Sequence, residues 1–191
     1  MNVRTLILGG PYMTNCYIVW DEELNAAVID PASEADRIMK VIEENGLHVS
    51  HILITHGHSD HIGAAAELKD MTGALIAANE RDAYRMHFDI DINAEEGLEI
   101  KCGKLVFKVI ETPGHTEGGV CYLCDDCLFS GDTLFSGSIG RTDLGGGNIF
   151  TLMGSLKKLV ELPYDDLTVY PGHMEPTTLS RERATNPFLV G

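Results

Sequence analysis

Three imidazoles and one carboxylate fall within six residues of the segment Thr55-His56-Gly57-His58-Ser59-Asp60-His61. An apolar run, His51-Ile52-Leu53-Ile54, leads into it and an alanine-rich segment, Gly63 to Leu68, leaves it. The order reads as a buried strand, a tight loop and a helix. Side chains alternate along a strand, so a loop that starts at a strand end throws His56 and His58 to one side. Asp60 and His61 stand at the helix entrance, where the chain has turned, and aim elsewhere. The spacing therefore predicts two adjacent ligand clusters. Imidazole nitrogen with carboxylate oxygen suits zinc, with iron or manganese as alternatives. A merely solvated polar loop is the plainer account. It explains poorly why so many polar groups follow a buried strand, where desolvation is costly unless a partner satisfies them.

Three more residues of the same chemical types occupy similar places. His115 lies in Thr112-Pro113-Gly114-His115-Thr116, Asp132 in Gly131-Asp132-Thr133 and His173 in Pro171-Gly172-His173, each just after an apolar strand-like run. Strand ends on one sheet edge can converge on a single site, and core strands give metal ligands a rigid support.

The elements that must position them read as follows. Strands are predicted at 3–8, 15–20 and 26–30, the first three forming an antiparallel meander with both faces covered. A helix starts at Ser33, which with Asp36 resembles a capping box. Ile38, Val41 and Ile42 form its inward stripe, and Gly46 stops it. After the central motif come a helix ending near Gly73, a strand at 74–78 and a short helix capped by Asn79. Residues 88–97 are polar and acidic and read either as a surface loop or as a lid. Strands follow at 98–100, 105–111, 120–124 and 127–130. A glycine-rich loop spans 137–148, a helix 150–162, a strand 168–170 and a short helix 179–185.

The bulk properties narrow the class. The chain has 191 residues, 44% hydrophobic and 23% charged, consistent with one globular domain over 1–191. Its 14 basic and 29 acidic residues give a net charge of −15, which disfavours nucleic acid as a partner. No apolar run reaches the roughly 20 residues needed to span a bilayer, so no membrane role is expected. The N-terminus lacks a signal core with a cleavage site, and the five cysteines are an odd number. Both point to the cytoplasm. Cys121 and Cys124 should face opposite sides of a strand, with Cys124 and Cys127 opposed across an Asp125-Asp126 turn. That favours packing over a second metal site. Arg141 could grip a substrate carboxylate, but an ion pair with Asp143 that pins the glycine-rich loop is the preferred reading. Gly145-Gly146-Gly147 lacks the Lys-Ser/Thr of a phosphate loop.

These motifs, Thr-His-Gly-His-Ser-Asp-His at 55–61, Pro-Gly-His-Thr at 113–116, Ser-Gly-Asp-Thr-Leu-Phe at 130–135 and Pro-Gly-His at 171–173, resemble the metallo-β-lactamase superfamily in order and type. Gly-Ser-Ile-Gly-Arg-Thr-Asp at 137–143 narrows the resemblance to short bacterial glyoxalase II-like hydrolases. The resemblance implies an α+β fold, a four-layer αββα sandwich with two mixed sheets flanked by helices. It implies two divalent ions, the first on His56, His58 and His115, the second on Asp60, His61 and His173, with Asp132 between. One departure is Met174-Glu175, where small residues are more usual; this bears on the pocket rim and not on the metal shell.

The reaction so implied is hydrolysis of a thioester, S-D-lactoylglutathione or a related small acyl thiol. Two cations sharing a water lower its pKa toward about 7, so a bridging hydroxide is available. Asp60 would orient it as well as bind metal. The alternative is a mononuclear iron persulfide dioxygenase using His56, His115 and Asp132. A non-enzymatic metal-binding interaction module ranks third, lactamase and RNA-cleaving activities rank lower, and homo-oligomerisation stays open.

Overall fold

The computed structural model describes residues 1–190. Strands β1 (Asn2–Leu8), β2 (Thr14–Trp20), β3 (Asn25–Ile29), β4 (His48–Leu53), β5 (Leu75–Ala78) and β6 (Ile92–Asn93) form the first sheet in sequence order. β1, β2 and β3 pair antiparallel, whereas β3 to β6 run parallel. Parallel neighbours need crossover connections, and helices supply them. α1 (Ala35–Glu44) joins β3 to β4, and α2 (Ser59–Ile62) with α3 (Ala65–Thr72) joins β4 to β5.

The second sheet contains β7 (Glu99–Cys102), β8 (Leu105–Glu111), β9 (Val120–Cys124), β10 (Cys127–Gly131), β13 (Thr168–Pro171) and β14 (Thr177–Thr178). Its order is β14-β13-β10-β9-β8-β7. Only β10 and β13 pair in parallel, and α4 (Ile149–Val160) crosses between them. A small hairpin, β11 (Leu134–Phe135) with β12 (Ser138–Ile139), precedes α4, and α5 (Leu179–Thr185) closes the chain.

Side-chain alternation divides the interior into three cores. Ile18, Val28 and Ile52 face α1 and α3, where Ile38 and Leu68 meet them. Their neighbours Tyr17, Val19, Ile29 and Leu53 face the second sheet, against Phe107, Tyr122 and Phe129. Ile110, Leu123 and Leu128 turn outward onto Leu152, Leu156 and Leu159 of α4. The result is a helix–sheet–sheet–helix sandwich, the α+β architecture expected from the sequence.

Three local features depart from the sequence reading or refine it. Ser33 does not cap α1: the cap residue is Glu34, in the left-handed region at φ 58°, with no side-chain cap bond. The chain needs that extra turn before the helix, which leaves the hydroxyl of Ser33 one residue early and without a partner. Residues 88–97 are not a lid. Phe88 and Ile90 pack on the first core, and Ile92–Asn93 add an edge strand to β5. The cysteines lie as expected: Cys121 is in the outer core, while Cys124 and Cys127 pair in register and face the inter-sheet core, all five thiols being free.

Candidate metal centre

The two sheets end together at one rim, and the loops leaving β3, β4, β8, β10 and β13 meet there. His56 and His58 follow β4, Asp60 and His61 lie in α2, His115 follows β8, and Asp132 and His173 follow β10 and β13. Nitrogens of His56, His58 and His115 lie within 4.8 Å of one another, as do donor atoms of Asp60, His61 and His173. The clusters adjoin: the His56 and His61 rings are 4.1 Å apart, centroid to centroid. Asp132 reaches both, with Oδ1 3.4 Å from His61 Nε2 and Oδ2 3.4 Å from His115 Nε2 and 3.5 Å from His173 Nε2. All seven residues singled out by spacing are thus brought to one place. Gly172 makes room for this, since a Cβ there would collide with Asp132 Oδ1 and the His61 ring.

Hydrogen bonds outside the clusters fix which ring nitrogens face inward. His115 Nδ1 lies 2.7 Å from the carbonyl of Arg141. That contact requires Nδ1 to carry a proton and leaves the Nε2 lone pair facing His58 Nδ1 at 2.9 Å. His61 Nδ1 donates to Asp30 Oδ2 at 2.9 Å, which turns its Nε2 toward His173 Nε2 at 3.4 Å. The Thr55 hydroxyl donates to the same Asp30 oxygen at 2.7 Å and stands 3.1 Å from His56 Nδ1. With its own proton committed, that hydroxyl accepts from His56 Nδ1, leaving His56 Nε2 as a lone pair. Asp30 therefore orients one imidazole of each cluster. It also lies close enough to His56 and His61 to form a third donor group, but its oxygens are already taken by Thr55 and His61.

The donor set fits a divalent cation at each cluster. His56 Nε2 and Asp132 Oδ1 are buried polar atoms without any hydrogen-bond partner. Such orphans are costly unless something else satisfies them. Burial, reinforced by neighbouring imidazoles, holds His56 well below the ordinary histidine range. Burial, His115 and Arg85 bring His58 down to about 4. Both are neutral at physiological pH, the form that ligates. Burial also pulls on His61, but Asp132 and Asp30 outweigh it and push the ring up to about 9. Burial opposes ionisation of Asp60 too, yet His173 and His61 hold its carboxyl far below the usual carboxylate range. A cation taking His61 Nε2 would displace the proton that Asp132 and Asp30 stabilise on that ring, and the same carboxylates together with Asp60 would draw it in.

Two supporting carboxylates were not singled out in the sequence. Asp30 carries one faint signal, an acidic residue closing an apolar strand before Pro31. Asp82 carries none: it sits in a polar 3₁₀ turn, Glu80–Arg85, that looks solvated. In the fold it is fully buried and accepts from the amides of Gly57 at 2.8 Å and Gly118 at 2.9 Å. It thereby ties the loop of His56 and His58 to the loop of His115. Replacing Asp82 by alanine strands two buried amides, and denaturant unfolding is expected to show a loss of about 3 kcal/mol. Metal titration of the same variant should show weaker binding; unchanged affinity would confine the role of Asp82 to stability.

Arg141 lines the cavity over the clusters, which measures about 520 Å³. Its guanidinium makes a two-point contact with Asp143, at 2.6 and 2.7 Å, and both side chains are exposed. What Arg141 gives the centre itself is its backbone carbonyl.

The metallo-beta-lactamase superfamily pattern matches residues 9–173. The hydroxyacylglutathione hydrolase GloC of Haemophilus influenzae is 38% identical over 93% of this chain and 93% of its own length. The crystal structure of BLEG-1 B3 metallo-beta-lactamase superposes with a TM-score of 0.91 at 32% identity, covering all of both chains. That of ETHE1 from Myxococcus xanthus gives 0.89 at 34% identity, covering 98% of this chain and 84% of its own. With the pattern spanning most of the chain and the strand-end residues gathered at one rim, this protein belongs to the metallo-beta-lactamase superfamily.

Proposed function

We propose that the protein is a metal-dependent thioester hydrolase. In this reading His56, His58 and His115 would hold one divalent cation, and Asp60, His61 and His173 a second, with Asp132 in reach of both sets of donors. The observation that carries this reading is the pair of facing donor clusters with Asp132 in contact with both. When bound, such cations supply a water acidified toward neutral pKa and a Lewis acid for the carbonyl oxygen. Zinc is the first candidate, iron and manganese the alternatives.

The chain supplies orientation. The Arg141 carbonyl fixes His115, Asp30 fixes His61, and Thr55 relays Asp30 to His56. Asp60 accepts from Thr14 Oγ1 at 3.3 Å and keeps a partly open side chain toward the cavity. Held as a carboxylate, it accepts a hydrogen bond from an attacking water and aligns it with the acyl carbon. It is not the acid that protonates the leaving group. None is needed, because a thiol of pKa about 8.5 leaves readily as thiolate. A cysteine nucleophile has no place in this scheme. All five cysteines are buried, and burial pushes Cys121 up to about 11 and Cys127 up to about 12, which silences them.

The substrate is an acyl thiol, and the Haemophilus relative, named a hydroxyacylglutathione hydrolase, puts hydroxyacylglutathiones such as S-D-lactoylglutathione among those to try. In this reading nucleic acid and membrane are not partners, given the net charge of −15, and the odd number of cysteines supports a cytoplasmic location. No helix among the described residues is long and apolar enough to cross a membrane. The test is turnover of a thioester panel before and after chelation. Activity should vanish with metal removal and return when metal is restored; turnover by metal-free protein would sink the proposal.

The likeness to the Myxococcus protein keeps a second reading, a mononuclear iron persulfide dioxygenase using His56, His115 and Asp132. The complete second cluster, with His61 braced by a buried carboxylate, favours the hydrolase. Oxygen uptake with glutathione persulfide, absent thioester cleavage, would reverse that preference.

A further inference from the structure

Beside the cavity over the clusters lies a second, of about 350 Å³, and the two share Tyr12, His173 and Met174. The wall between and around them is apolar and open. Tyr12, Met13 and Met174 are 67%, 59% and 55% exposed. Large apolar side chains gathered at one exposed rim, next to a candidate catalytic centre, mark a binding surface.

This rim is built into the fold. Met13 and Met174 both adopt the left-handed backbone region, at φ 50° and 70°, which bulky residues seldom occupy. The Asn15 side-chain amide donates to the carbonyls of Pro171 at 3.0 Å and Met174 at 2.8 Å. That bond fixes the turn after β13 against the start of β2 and so brings Met174 beside Tyr12. Methionine is unbranched and polarisable, and it adapts to flexible hydrocarbon.

The charges point the same way. Among the described residues lining the two cavities, Arg141 is the one Lys or Arg, and its guanidinium is engaged by Asp143. The outer cavity carries the carboxylate of Glu175. In that outer cavity a substrate arm bearing carboxylates meets Glu175 and no Lys or Arg, whereas a hydrocarbon meets Tyr12, Met13 and Met174. We infer that the groove formed by Tyr12, Met13 and Met174 takes the apolar acyl chain of the thioester, so that the enzyme prefers alkanoyl over short hydroxyacyl groups. This rests on the thioester reading of the metal site.

The experiment holds the thiol constant and uncharged. Acetyl, butyryl, hexanoyl and D-lactoyl thioesters of N-acetylcysteamine are compared on the metal-loaded protein, each rate normalised to its alkaline hydrolysis. A fully buried methylene is worth about fourfold, so partial cover should raise kcat/KM at least about tenfold from acetyl to hexanoyl. Met174→Ser and Tyr12→Ser should each flatten the series. Binding of the non-hydrolysable S-hexyl and S-methyl thioethers of the same thiol, by calorimetry, reads the groove without turnover. Absence of cleavage of every thioester would sink the hydrolase reading. S-hexyl binding no tighter than S-methyl overturns the groove assignment whether or not any thioester is cleaved. So does a wild-type series that is flat or led by D-lactoyl.

Discussion

Replacing Asp132 by alanine is expected to lower kcat/KM for a thioester by about a thousandfold or more and to cost the purified protein at least one equivalent of bound metal. Asp132 directs its two oxygens at both clusters, 3.4 Å from His61 Nε2 and from His115 Nε2. Without it each cluster keeps three donors, but nothing holds two cations at a fixed separation, and their mutual repulsion favours losing one. Charge stabilisation by a bound cation is worth several kcal/mol at the transition state, and each 1.36 kcal/mol is tenfold in rate. Elemental analysis beside steady-state kinetics checks both halves. A variant that keeps two equivalents of metal and near-native kcat/KM would remove Asp132 from the centre, and wild-type protein that binds no more than one equivalent would sink the two-cation proposal.

The second large effect falls on a residue that touches no cation in the proposed scheme. Asp30→Asn preserves volume and tolerates the left-handed backbone at position 30, where φ is 49°. It replaces a carboxylate that accepts from Thr55 N, Thr55 Oγ1 and His61 Nδ1, all buried, with a group that has one acceptor oxygen. An amide NH₂ in the place of Oδ2 opposes both the His61 Nδ1 proton, favouring the wrong tautomer, and the Thr55 hydroxyl that relays to His56. In the place of Oδ1 it faces the buried Thr55 amide instead, donor against donor. Partners of this kind are typically worth 10- to 100-fold in metal affinity. One imidazole in each cluster is involved, so affinity should fall by about 100-fold, with a stability loss of about 2 to 3 kcal/mol. Competitive metal titration and denaturant unfolding separate the two effects. Weakening at a single site would show that Thr55 does not relay Asp30 to His56.

The sequence by itself determined the ligand types. Metal binding restricts donors to a few side chains, and in this chain His56, His58, His115, Asp132 and His173 follow apolar runs while Asp60 and His61 open a helix, so residue type and local position carried the information. The layers were implied by the family resemblance those motifs carry; the strand runs and the helical stripe of α1, written in neighbouring residues, agree with the four-layer arrangement but do not by themselves establish it. Local cues located the opposed Cys124 and Cys127 as well, since two residues of turn leave little freedom. Only the tertiary structure decided what orients those ligands. Asp30 meets His61 across 31 positions, Asp82 meets Gly118 across 36, and the Arg141 carbonyl meets His115 across 26. A carboxylate that will be buried and one that will stay solvated look alike in a sequence, and a backbone carbonyl has no letter of its own. The same reason hid the start of α1, where entry geometry outweighed the capping pattern at Ser33. It also hid the true place of 88–97, a polar segment held by a sheet edge. Short-range pattern fixes which groups can bind metal; long-range packing fixes where each proton sits, and with it which nitrogen is left to bind.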